Sequence, residues 1–232
     1  AHLSGKSDWK AEIGIHKRRA EVRVSSELLG VSSPLPEPLN KAATVPLPLR
    51  IERLPQASGG EAYEIRLGEV LRGNIEQQDG KWQRGVLAIG PATLAMPAQG
   101  LALSIDLPHL DLDRWRHFLP ANSGSAQGAE AGGGLSVAGV TLKTPRLSVQ
   151  GHDFAAVRIA LTPKGRDWII DLNARQAQGE LRWRDSEAGW LEGRLQRLYL
   201  NTAAAGATSS AKETSVTERL PGLRLSIDDF RV

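Results

Sequence analysis

Apolar and polar residues alternate one by one along much of the chain. Successive side chains of a β-strand point to opposite faces, so each alternating segment predicts a strand with one apolar and one polar face. About thirteen candidate strands can be counted, far more than in an ordinary mixed domain. The clearest examples are residues 21–24, 64–67, 101–107, 157–161, 180–184, 191–195 and 223–228.

Turn residues followed by tryptophan mark the starts of several strands. Trp9, Trp82, Trp168 and Trp190 each come directly after a turn-forming run, at the point where an outgoing strand would begin. This spacing is typical of one hairpin after another. The sequence therefore predicts a mostly β fold: an antiparallel meander forming a curled, groove-like or sandwich-like sheet, with one or two short helices.

The strongest helix signal lies at about residues 111–119 and is stopped by Pro120. His109, Asp111 and Asp113 occupy alternate positions just before it, a spacing that could bring imidazole and carboxylates to one metal ion. Carboxylates at the start of a helix serve more naturally as caps. The sequence therefore predicts a helix here and no metal site.

Two regions that are rich in small residues divide the predicted strands. We expect an N-terminal β section over residues 1–120, ending in the short helix at about 111–119. A flexible linker of Gly, Ala and Ser follows at 121–134. A C-terminal β meander then covers 135–232 and contains a flexible loop at about 201–218.

Composition narrows the classes of function. The chain has 232 residues, a formal net charge of +3 and no cysteine. The missing cysteine excludes a disulfide scaffold, thiolate catalysis and Cys-ligated metal centres. The interspersed, nearly balanced charges do not indicate a nucleic-acid partner. No apolar run approaches the ~18 residues of a membrane span, and the chain starts without methionine inside an ordered pattern, so we expect a section of a longer protein.

Catalytic motifs are missing as well. The sequence contains neither H-E-x-x-H nor G-x-S-x-G. Asp228 and Asp229 are adjacent, so on a strand they face opposite ways, which is unsuitable for a glycosidase pair. We therefore predict no enzymatic activity and no cofactor.

Two further features suggest binding. Residues 16–19 form a basic cluster that could contact lipid phosphates or nucleic acid, although a solvated hairpin tip is the preferred interpretation. The chain has six tryptophans against three phenylalanines. Because an indole face can stack on a sugar, a carbohydrate-binding β-sandwich module remains an alternative function.

Three ordered segments resemble one protein family. Residues 107–115 read LPHLDLDRW, residues 28–41 read LLGVSSPLPEPLNK, and residues 147–159 lead into a run of strands ending near Leu198. This order is similar to that of the AsmA-like superfamily, in particular its large YhdP type. The motif residues are Leu107, Pro108, Asp111, Asp113 and Trp115.

The resemblance implies a function in lipid transport. Such proteins are anchored in the Gram-negative inner membrane, extend through the periplasm and conduct phospholipids toward the outer membrane along an apolar β-groove, which supports outer-membrane integrity. The implied partners are a phospholipid or another acyl-chain lipid and the neighbouring β repeats of the parent chain. The resemblance brings no catalytic residues, and a purely structural or assembly scaffold of the cell envelope is a second alternative.

The apolar positions of the strands then form the expected lipid-lining surface. The same side chains could equally fill the dry core of an ordinary β-sandwich, and periodicity leaves both open. The candidate lining residues are Leu101, Leu103, Ile105, Val157, Ile159, Leu161, Leu181, Trp183, Leu191, Leu195, Leu223, Leu225 and Ile227.

Overall fold

The chain forms two compact units. A computed structural model describes residues 3–16, 19–57, 59–116, 118, 130–131, 134–184, 189–200 and 222–232. Among these, the first unit comprises Ala1–Leu107, Arg114–Phe118 and Glu130–Val140, and the second comprises Pro108–Asp113 and Thr141–Val232. The loop predicted at 201–218 and most of the linker predicted at 121–134 lie outside the described residues.

Nearly all regular structure in the described residues is β. The single described helix, α1, spans Leu112–Arg116, within the segment where a helix was predicted. The strands are β1 (Ser4–Gly5), β2 (Lys10–His16), β3 (Arg19–Ser26), β4 (Val31–Ser32), β5 (Leu49–Pro55), β6 (Glu61–Leu67), β7 (Leu71–Gln78), β8 (Lys81–Ile89), β9 (Gly100–Asp106), β10 (His109–Asp111), β11 (Glu130–Ala131), β12 (Leu135–Val149), β13 (His152–Lys164), β14 (Asp167–Asn173), β15 (Ala177–Arg184), β16 (Trp190–Tyr199) and β17 (Gly222–Arg231).

In the first unit, hydrogen bonds join the strands in the order β2-β3-β5-β6-β7-β8-β9. These pairs are antiparallel except for β8 and β9, which run parallel. The short strands β1 and β4 form a separate antiparallel pair. The mostly β prediction is therefore confirmed.

In the second unit, which contains β12 from Thr141 onward, the order is β12-β13-β14-β15-β16-β17, with β10 added parallel to β12. The last pair, β16 and β17, is again parallel. Alternation along a strand is the same in either direction, so it could not distinguish these parallel pairs from the antiparallel ones around them. The direction depends on whether a connection returns the chain to the end where the previous strand began.

Tight turns with left-handed backbone set the register of the hairpins. Asp79 and Gly80, between β7 and β8, have φ of 50° and 74°, and Gln150 and Gly151, between β12 and β13, have φ of 49° and 76°. Two successive residues with positive φ match the twist of antiparallel strands, which is why Asp-Gly favours two-residue hairpins. Trp82 follows the first of these turns, as the sequence pattern predicted.

Candidate functional site

The register of the second unit gathers apolar side chains on one face of the sheet. On β14, Ile170 lies opposite Leu161 of β13 on one side and Leu181 of β15 on the other. The same row continues through Gly193 of β16 to Leu225 of β17. Partners in register project to the same side, so five strands contribute to a continuous apolar row.

Two more rows flank this one. The first runs Ile159, Leu172, Gly179, Leu195, Ile227, and the second runs Pro163, Trp168, Trp183, Leu191, Leu223. We call these three rows together the apolar face of the second unit. It contains nine of the thirteen candidate lining residues.

Sequence reasoning missed all three members of this face on β14, namely Trp168, Ile170 and Leu172. The signal was obscured because Ile169 interrupts the alternation of β14 and occupies the opposite face, in register with Arg182. Trp168 lies opposite Trp183 in the hairpin of β14 and β15. Residues paired in a hairpin project to the same face, so this pairing would have assigned the three β14 residues to the apolar face.

The first unit has an apolar face built in the same way. Leu101, Leu103 and Ile105 of β9 lie beside Gly85, Leu87 and Ile89 of β8, and the rows continue across β7, β6, β5 and β3 to β2. At that edge Ile13 and Ile15 are 73% and 82% exposed. The members of the apolar face of the first unit are Ile13, Ile15, Val22, Val24, Leu49, Ile51, Ile65, Leu67, Leu71, Ile75, Leu87, Ile89, Leu101, Leu103 and Ile105.

These faces are only partly covered. Of the thirteen candidate residues, Val157 and Leu195 are buried, Leu223 is 62% exposed, and the other ten are half-buried. Side chains in the dry core of a sandwich would be shielded by a second layer. A contiguous, partly exposed apolar surface is disfavoured in water and typically marks a binding surface.

Many side chains on the opposite face of each unit are polar and ion-paired. In the first unit Arg23 contacts both Glu12 and Glu52, and Arg84 contacts Glu76. In the second unit the pairs are Arg182 with Asp167, Arg184 with Glu192, and Arg194 with Asp228. Much of this face is therefore suited to water, although Val86 and Ala88 of β8 are buried on it, and the apolar face is suited to an apolar ligand.

One end of the first unit's apolar face carries polar groups. Arg53 Nε donates to Glu61 Oε2 at 2.8 Å, and the Tyr63 hydroxyl donates to the same carboxylate at 3.0 Å. Trp82 packs edge-on against Tyr63 with ring centroids 5.0 Å apart. The hydrogen bonds from Arg53 hold the pKa of Glu61 below its usual value, so this carboxylate is charged at neutral pH.

The basic residue of the PLPEPLNK segment has a structural role. Lys41 Nζ donates to the carbonyl oxygens of Leu28 and Val31, both at 2.7 Å, and of Ala42 at 3.2 Å. A half-buried ammonium with three acceptors ties the loop that leaves β3 to the proline-containing segment after β4.

We expect Lys41→Met to lower the free energy of unfolding by about 1–3 kcal/mol, because the thioether keeps the length but leaves the carbonyl groups without their donor. Urea denaturation measures the change. Lys10→Met is the control, since Lys10 is 72% exposed and pairs with Glu12 at the surface. Equal loss in both variants would contradict this role.

The LPHLDLDRW residues connect elements of the fold. Leu107 is buried and Pro108 exposed, while Asp111 ends β10, in register with Ser148. Asp113 Oδ1 accepts a hydrogen bond from the Gln150 backbone N–H at 3.0 Å. Trp115 is half-buried in α1.

The suggested metal ligands do not form a metal cluster. His109 Nε2 lies 2.9 Å from Ser148 Oγ, while Asp113 holds the turn after β12. Within the described ranges, no group of three or more His, Asp or Glu side chains could hold a metal ion.

The tryptophans divide between the two faces of the sheets. Trp168 and Trp183 lie among aliphatic side chains on the apolar face, whereas Trp190 is on the polar face, with the Arg224 guanidinium 5.5 Å from its ring centroid. The carbohydrate-binding alternative stays a prediction.

Comparison with known proteins identifies the family. The family model of the YhdP protein matches residues 1–232, the full length of the sequence. The chain belongs to the YhdP family. The resemblance found in the sequence segments is thereby confirmed.

A curated relative of this YhdP-family chain is the intermembrane phospholipid transporter YhdP of Escherichia coli (strain K12). The two are 24% identical over 237 aligned residues, which cover 94% of this chain. The chain spans 18% of the length of that relative. No solved structure matches the chain. Among the described residues, no helix has the length and apolarity that a membrane crossing requires.

Proposed function

We propose that the chain is a non-catalytic segment of a protein that conducts phospholipids between membranes, and that its apolar faces hold the acyl chains. The parent would be anchored in the Gram-negative inner membrane and act in the periplasm, supporting outer-membrane integrity. The partly exposed apolar face in each unit carries this proposal. Similarity to the phospholipid transporter of Escherichia coli supports the ligand class.

The chemistry of the two faces fits an amphiphile. Each acyl methylene that leaves water for an apolar surface gains ~0.8 kcal/mol, and this attraction has no preferred direction along the face. An acyl chain can therefore slide over rows of Leu, Ile and Trp with low barriers. A uniform apolar surface favours neither end, so a net direction of lipid movement has to be imposed by something outside the apolar face.

The edge strands β2 and β17 could pair with further strands of a longer protein. Ile13 and Ile15 on β2 and Leu223 on β17 are all more than 60% exposed, and each belongs to an apolar face. The chain corresponds to less than a fifth of its relative's length. We propose that neighbouring β repeats of the parent pair with these edges, which would extend the apolar faces and cover the exposed side chains.

Lipid capture tests the function. After incubation with vesicles of phosphatidylethanolamine and phosphatidylglycerol, native mass spectrometry should show the chain carrying intact phospholipid. A photo-crosslinking residue at Leu181, on the apolar face, should attach to lipid, whereas the same probe at Glu180, on the polar face, should not. Clean spectra and equal labelling at both positions would overturn the proposal.

A further inference from the structure

The apolar face of the first unit changes character along its strands. On β5 the residues of this face run Leu49, Ile51, Arg53, and on β6 the corresponding residues run Leu67, Ile65, Tyr63, Glu61. The first two rows are aliphatic, whereas the last two carry hydrogen-bonding groups. At ~3.3 Å per strand residue, Leu49 and Arg53 are separated by about 13 Å. The face is thus amphiphilic along the strand direction.

Arg53 occupies a position where the pattern calls for an apolar side chain. Its register neighbours are Val22 and Tyr63, while Leu54 takes the adjacent place on the polar face, beside Ala62. The Arg53 and Glu61 side chains are 37% and 29% exposed. A partly buried ion pair is weak evidence for stability, because apolar residues of similar volume often stabilise as well. Because this ion pair lies on the apolar face, we interpret it as part of a ligand-binding site.

A cavity of about 270 Å³ adjoins this ion pair. Arg19, Arg53 and Glu61 line it, together with the backbone of Gly59 and Gly60. Arg19 is held in place because its guanidinium donates to the Gln56 carbonyl oxygen. The cavity therefore has two cations and one carboxylate, an excess of one positive charge.

We propose that this cavity binds the phosphodiester of a glycerophospholipid whose acyl chains lie on the aliphatic rows; the inference rests on the proposed function. Arg53 and Arg19 together supply guanidinium N–H groups of the kind that bind phosphate oxygens. Tyr63 lies in the same row as Arg53, and Trp82 lies in the row of Glu61. Their amphipathic rings are therefore beside the charged groups, where an acyl chain would meet its headgroup. One phosphodiester balances the excess positive charge.

The test compares lipids that share tails and differ in headgroup. The chain is incubated with vesicles of phosphatidylcholine that contain phosphatidylethanolamine, phosphatidylglycerol or diacylglycerol, and native mass spectrometry measures the lipid retained. We expect the wild-type chain to retain each phospholipid about tenfold better than diacylglycerol, as charge-assisted hydrogen bonds imply. The double variant R53Q/E61Q should lose that preference while it keeps diacylglycerol.

The matched control is R84Q/E76Q. Arg84 and Glu76 are 41% and 21% exposed and form a similar pair in the same unit, but on the polar face. This variant should keep the full preference for phospholipid, and circular dichroism should show both variants folded. Unchanged preference in R53Q/E61Q, or equal loss in both double variants, would overturn the headgroup site. If the wild-type chain retains no lipid of any kind, the proposed function fails instead.

Discussion

Replacing Ile170 with glutamate should lower phospholipid retention by about tenfold or more. Ile170 lies at the centre of the apolar face of the second unit, between Leu161 and Leu181. Burying one isoleucine side chain is worth about 1.5–3 kcal/mol, and an acyl chain laid over a carboxylate would also desolvate a charge. Both effects weaken binding in the same direction.

Ile169 provides a control within the same strand. It is half-buried like Ile170, but it lies on the polar face opposite Arg182. A glutamate at position 169 meets a guanidinium and water, so Ile169→Glu should retain lipid like the wild-type chain. Quantitative native mass spectrometry after vesicle incubation measures both variants. Equal retention by the two variants would show that lipid does not lie on this face.

Leu195→Ala should produce the largest loss of stability, about 2–5 kcal/mol. Leu195 is 3% exposed, the lowest value on the apolar face of the second unit, and it lies between Gly179 and Ile227. Truncation removes buried methyl groups and leaves a space that the surrounding sheet can fill only in part. The free energy of unfolding from urea titration measures the change.

Leu223→Ala is the companion variant on the neighbouring strand. Leu223 belongs to the same face but is 62% exposed, so its truncation should cost no more than about 0.5 kcal/mol. This contrast separates the side chains that hold the sheet together from those available to a ligand. If both variants lose the same stability, the edge strand β17 packs against something that covers Leu223.

The alternation of residues was sufficient to predict the strands and the division into faces. Leu101, Leu103 and Ile105 lie on the same face of β9. Nine further candidates share the apolar face of the second unit. Both results follow because successive side chains of a strand point to opposite faces. Hairpin turns such as Asp79-Gly80 carry their own sequence signature. Local chemistry therefore encodes most of this fold.

Other features depend on partners far away in the chain. Ile169 and Ile170 are identical in type, yet only the pairing with β13 and β15 assigns them to opposite faces. Only the register places Arg53 and Glu61 at one end of an apolar face. The three acceptors of Lys41 lie up to 13 residues away in sequence and were not visible in any motif.

The sequence by itself determined that this is a strand-rich chain of the YhdP family with one apolar and one polar side to most strands, because side-chain alternation and turn chemistry act between near neighbours. Tertiary structure alone decided which strands run parallel and which rows meet, and it leaves ten of the thirteen candidate lining side chains half-buried. Direction and register depend on connections and on pairing between residues far apart in the sequence, and a periodic pattern is the same whether its apolar side meets protein or lipid.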